Sequence, residues 1–75
     1  GIYPNPANDF ICLEGIDEAG QGRLEVQFLR PDGSKVSPIY KDVEGCISVE
    51  GLNPGIYFLQ GGRGNFRFRG NFIKL

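Results

Sequence analysis

Apolar and polar positions alternate with a period of two along much of this chain. The pattern is clearest over Gly22–Leu29, where Leu24, Val26 and Phe28 interleave with Arg23, Glu25 and Gln27. Successive side chains on a strand point to opposite faces, so this segment predicts a strand with one buried and one wet face. Pro31-Asp32-Gly33-Ser34 follows as a tight turn, with Pro presetting one φ and Gly33 accepting a left-handed corner. Lys35–Tyr40 is the expected hairpin partner, and Pro38 places it at an edge or a bulge because Pro cannot donate to a ladder. Cys46–Val49 alternates again, with Ile47 and Val49 inward. Asp9-Phe10-Ile11-Cys12-Leu13 and Ile56–Gln60 are nearly continuous apolar runs, which suit buried strands. In Phe66–Leu75, Phe66, Phe68 and Phe72 share one face and Arg67 and Arg69 the other, while Gly70-Asn71 predicts a bulge or bend.

The intervening stretches read as connections. Pro4 and Pro6 fix two φ angles and push Tyr3 and Asn5 into extended conformations, so residues 1–8 are expected to form an extended linker arm and residues 9–75 a single domain. Glu14–Gly22 is an acidic, glycine-rich loop, Lys41–Gly45 a polar loop or short strand, Asn53-Pro54-Gly55 a second tight turn, and Gly61–Asn65 a flexible hairpin loop. The sum is six or seven short strands with turns roughly every ten residues and no helix, the pattern of an antiparallel β-sandwich. Leu52-x-x-Gly55-x-Tyr57 looks like the tyrosine corner of immunoglobulin-like folds; an ordinary core Tyr after a Pro-Gly turn is the alternative. The expected core is Leu24, Val26, Phe28, Ile47, Val49, Tyr57, Leu59, Phe66 and Phe68.

Composition narrows the function more than the fold. Seventy-five residues allow one small core. No apolar run approaches the roughly 20 residues of a transmembrane helix. The chain has no signal peptide and begins at Gly1, which suggests either a piece of a larger exported protein or a glycine left over from a tag. Histidine is absent, so the usual general base and commonest metal ligand are missing. Neither catalysis nor a cofactor or metal is expected. Cys12 and Cys46 could staple a secreted domain, yet their strand phases put Cys12 with Phe10 inward and Cys46 with Ser48 outward, which favours free thiols. Gly61-Gly62-Arg63-Gly64 has no following helix to cradle phosphate. Arg67 and Arg69 interleave with Phe66 and Phe68, but alternation separates rings from guanidiniums, so a nucleic-acid platform is not expected. All nine acids lie in residues 1–50 with four bases, net −5, whereas residues 51–75 hold Arg63, Arg67, Arg69 and Lys74 and no acid, net +4. That asymmetry fits either pairing between the two parts of the chain or an anionic partner for the last third.

Four segments carry a family resemblance. They are Tyr3-Pro4-Asn5-Pro6-Ala7, Pro31-Asp32-Gly33-Ser34-Lys35-Val36, Leu52-Asn53-Pro54-Gly55-Ile56-Tyr57 and Phe72-Ile73-Lys74-Leu75. In this order and spacing the chain resembles the C-terminal sorting domain of the type IX secretion system, over essentially its whole length. It departs in having Asn71 where a Lys often precedes the final Phe, with Arg69 two residues earlier. The resemblance implies an immunoglobulin-like sandwich that directs an exported protein across the outer membrane to the cell surface or medium. The implied partners are the outer-membrane translocon and a sortase, with attachment of cargo to anionic lipopolysaccharide; a retained role in the attachment complex also occurs in the family. Pro4, Asn5, Pro6, Gly33, Gly55 and Tyr57 would be structural motif positions, and Arg67, Arg69, Phe72 and Lys74 the recognition residues. A carbohydrate- or lipopolysaccharide-binding module, or a structural spacer, is the rival reading.

Overall fold

The computed structural model describes residues 1–15, 24–36, 42–43 and 45–75. Its eight strands are β1 (Ile2–Tyr3), β2 (Phe10–Leu13), β3 (Leu24–Leu29), β4 (Lys35–Val36), β5 (Asp42–Val43), β6 (Cys46–Ser48), β7 (Gly55–Arg63) and β8 (Phe66–Lys74). They form two antiparallel four-stranded sheets, β1-β2-β6-β5 and β4-β3-β7-β8. One apolar cluster joins Ile11, Leu13 and Ile47 of the first sheet to Leu24, Phe28, Tyr57, Leu59 and Phe72 of the second. The expected all-β sandwich is therefore observed, with Ile2–Tyr3 as a strand beyond those anticipated. No helix occurs among the described residues. The expected positions at Arg23, Pro38 and most of the Glu14–Gly22 loop lie outside them.

The hairpin from β3 to β4 closes as its sequence dictates. Gly33 N–H donates to Arg30 C=O at 2.9 Å, and Arg30 N–H donates to Ser34 C=O at 2.9 Å. Pro31 and Asp32 occupy the corners, and Gly33 takes a φ of 87°, a conformation that side chains resist.

The second hairpin differs from expectation. Gly61–Arg63 is strand rather than loop, and β7 and β8 pair without interruption from Gly55↔Lys74 to Arg63↔Phe66. Only Gly64 and Asn65 form the turn. Glycine suits the strand here because a Cβ on Gly61 would lie 2.0 Å from the Glu25 carbonyl oxygen of β3. The bulge expected at Gly70-Asn71 is likewise absent, so alternation continues and carries Phe72 and Lys74 inward.

The two cysteines are bonded. Cys12 and Cys46 are directly opposed on β2 and β6, with Cα atoms 3.9 Å apart, and form a disulfide. The expectation of free thiols fails because the phase of β2 is the reverse of that assumed. Ile11 and Leu13 point into the core, Phe10 is half exposed, and Cys12 shares the outer face of the sheet with Cys46. Directly paired residues of an antiparallel ladder always share a face.

Six of the expected core residues, Leu24, Phe28, Ile47, Val49, Tyr57 and Leu59, are buried, while Val26, Phe66 and Phe68 only flank the core. Ala7, Ile11, Leu13, Leu52 and Phe72 are buried in addition to the named core set. Phe72→Ala should therefore cost about 3–5 kcal/mol, whereas Phe68→Ala should cost about 1–2 kcal/mol. Urea unfolding of the two variants checks the order; equal losses would contradict this burial gradient. The disulfide closes a separation of 34 residues. Replacing both cysteines by serine should remove about 3–4 kcal/mol by releasing the unfolded chain, read from the shift of the urea midpoint.

Candidate recognition site

Three of the four motif segments meet at one place. Tyr57 begins the conjunction: its hydroxyl donates to Asn53 C=O at 2.7 Å and pins the connection that leads from β6 into β7. This is the bond expected of a tyrosine corner. Leu52, buried at the same connection, is held by its N–H to Val49 C=O at 3.1 Å. Gly55 opens β7 with a φ of 150° and pairs with Lys74. The Tyr57 ring stacks on Phe72 with centroids 5.7 Å apart, and Phe72 meets Phe28 edge-on at 6.0 Å. Offset-stacked and edge-on arrangements are the favoured geometries for aromatic pairs.

The first segment docks on the last. Both the Tyr3–Pro4 and Asn5–Pro6 bonds are cis. Beyond them Ala7 lies fully buried alongside β8, its N–H donating to Ile73 C=O at 2.8 Å and its C=O accepting from Leu75 N–H at 2.8 Å. Asn5 Oδ1 accepts from Ile73 N–H at 2.9 Å. Ile2, at the start of the chain, packs over Gly70, where a Cβ would meet its Cδ1 at 2.4 Å. Pairing of β1 with β2 ties Tyr3 opposite Cys12, beside the disulfide.

The proposed recognition residues do not share one face. Arg67 and Arg69 are exposed on the outer face of the second sheet, opposite Gly62 and Gln60. Arg67 is oriented by the turn, its Nη1 donating to Gly64 C=O at 2.7 Å and Phe66 C=O at 3.0 Å. Gln60 donates to Gln27 at 3.2 Å in the same row as Arg69. A shallow concavity of about 560 Å³ lies between Glu25, Gln27, Gln60, Arg67 and Arg69. Phe72, by contrast, is fully buried, and Lys74 is 9% exposed with Nζ donating to Leu75 O at 3.0 Å. Uninterrupted alternation puts them on the inner face; the stem of Lys74 is covered while its ammonium reaches the chain end. Ile56, Phe58 and Ile73 are exposed beside the arginines. Sequence reading missed Ala7, since a small residue between two prolines and a polar stretch carries no periodic signal.

These contacts are the setting for the family comparison. A model of the secretion system C-terminal sorting domain matches residues 1–74. The chain belongs to this family. No curated protein matches it, and neither does any solved structure. The sorting domain is the signal for type IX secretion, carried by exported proteins that reach the cell surface or are secreted. Its role in the family is sorting, and it acts through the type IX machinery. Among the described residues no helix is long and apolar enough to cross a membrane.

Tyr57→Phe should lower stability by about 1 kcal/mol, the loss of one hydrogen bond, measured by urea unfolding of the sorting domain. Asp32 gives a pH test. The Ser34 hydroxyl and then the Ser34 N–H, 2.8 Å from its carboxylate, hold its pKa below the ordinary value of 3.8. A carboxylate depressed in the folded state stabilises above its unfolded pKa, and that contribution is lost as pH falls through the folded value. Asp32→Asn should therefore shrink the loss of stability on acidification below about pH 4, checked by parallel denaturation series from pH 6 to pH 2.

Proposed function

We propose that the type IX translocon reads this domain through β8, with Arg67 and Arg69 meeting an acidic surface. The observation that carries this reading is the exposure of both guanidiniums on one face of a chain third that holds no acid. Phe72 and Lys74 contribute indirectly in this reading. The buried ring holds the strand against Tyr57 and Phe28, and Lys74 fixes the strand end, so the arginines sit on a rigid scaffold. Exposed charges mainly steer encounter, and at physiological salt they act within about 8 Å. A sortase cut upstream of the domain and attachment of cargo to anionic lipopolysaccharide complete the route.

A second reading has the same face bind lipopolysaccharide directly. It is favoured by the half-exposed Phe58 beside Arg69 in a further concavity of about 530 Å³. The two differ in where the charge matters. Arg67→Glu with Arg69→Glu should leave the fold intact, because outward substitutions rarely shift stability by more than about 0.5 kcal/mol. In a type IX-competent cell, a carrier fused to the doubly reversed domain should remain in the periplasm. Parental secretion of the folded variant contradicts the reading. Full secretion with loss of binding to lipopolysaccharide vesicles selects the second.

A further inference from the structure

β8 is the outer strand of its sheet, and its free side is only partly occupied. In an antiparallel pair, alternate residues direct both backbone groups toward the neighbour and those between direct both away. Ile73 faces away from β7, because its N–H goes to Asn5 and its C=O to Ala7. By the same alternation Asn71, Arg69 and Arg67 also turn their N–H and C=O groups to the free side. Among the described residues none of these six groups has a hydrogen-bond partner. The Asn5–Ala7 segment thus fills the lane beside Ile73–Leu75 and stops. About 13 Å of unpaired edge remains between Arg67 and Asn71.

We infer that an extended, acidic strand of the secretion machinery adds to β8 along Arg67–Asn71, continuing the lane that Asn5–Ala7 begins. This rests on the reading that β8 is what the machinery recognises, and it supplies the mode of recognition. Strand addition obtains affinity from main-chain bonds and specificity from alternate side chains. Here the alternate side chains at the open edge are Arg67 and Arg69, which select carboxylates on the incoming strand. They also disfavour a second copy of the chain. Antiparallel pairing of two β8 edges over the full Arg67–Asn71 stretch sets Arg69 against its counterpart, and like charges directly opposed destabilise a ladder. Charged residues are a common protection of open edges against unwanted pairing. The same charge that excludes a copy admits an acidic partner.

The alternation also supplies a selective variant. Arg69→Pro removes an N–H that points away from β7, so the β7–β8 ladder keeps its bonds, and Pro is tolerated at such edge positions. Arg69→Ala removes the charge and keeps the N–H. In the fused-carrier secretion assay, Arg69→Pro should reduce export about tenfold more than Arg69→Ala. Equal export of the two folded variants overturns the inference. A second measurement does not depend on the folding of any variant. Amide hydrogen exchange of the parent chain is followed with an acetylated (Glu-Val)4 peptide and with its (Lys-Val)4 counterpart. Arg67, Arg69 and Asn71 amides should slow at least about tenfold with the acidic peptide alone. No protection, equal protection by both peptides, or protection that rises with protein concentration without peptide overturns it. Failure of the broader reading has a different signature: charge reversal at Arg67 and Arg69 and Arg69→Pro would both be exported like the parent. Failure of strand addition alone leaves charge reversal defective while Arg69→Pro matches Arg69→Ala.

Discussion

Phe72 is the contact on which the rest of the molecule depends. Its ring is fully buried, stacked on Tyr57 and edge-on to Phe28, and so it joins the β3, β7 and β8 strands at one end of the core. Its neighbour Ile73 then offers both backbone groups to the Asn5–Ala7 segment. Chain residues 68 positions apart in sequence are thereby bonded, Ile73 to Asn5. A sorting signal built this way is a folded object. Its opening and closing motifs have meaning only together, because each satisfies the other's backbone.

Burying Phe72 has a second consequence. With no bulge in β8, the inward ring at position 72 fixes Arg67, Arg69, Asn71 and Ile73 outward, and Lys74 inward. The basic character of the last third therefore divides. Two guanidiniums remain available to a partner, and one ammonium is committed to the end of its own strand. Opposite β8, the small residues Gly61 and Gly62 let β3 and Arg67 approach closely. The outer face of the sheet is consequently hollow beside the arginines and apolar around Phe58, Ile56 and Ile73.

What could be read from sequence was set by how far each signal reaches. Alternation in Leu24–Phe28 and the Pro31–Ser34 turn are local, and both are observed. The two sheets and the Tyr57 bond follow from motifs a few residues long. The continuous run Phe10–Leu13 offers no alternation, so its phase could not be fixed, and the disulfide went with it. Gly61-Gly62 has the composition of a loop; only the approach of Glu25 from a strand distant in sequence makes glycine a strand residue there. The docking of Ala7 depends on a partner at the far end of the chain and leaves no periodic trace. For the recognition set, the outward phase of Arg67 and Arg69 was legible. So was the face that Phe72 shares with Phe66 and Phe68, whereas the inward turn of Lys74 depended on whether Gly70-Asn71 bends, which local propensity does not decide.

The two sheets also differ in how they are closed. The first carries the Cys12–Cys46 bridge across β2 and β6 on its outer face, with Tyr3 paired beside it. A disulfide suits a protein that passes through an oxidising compartment, and it offsets the small core available to 75 residues. The second sheet has no such staple and relies on aromatic packing and on the docked Asn5–Ala7 segment. Stability is thus concentrated where no partner is proposed to bind. The strand proposed to meet one is held firmly at its Phe72–Lys74 end and left unpaired on its outer side from Arg67 to Asn71. A domain that closed this edge with its own chain would be more stable, but it would present the machinery with side chains alone.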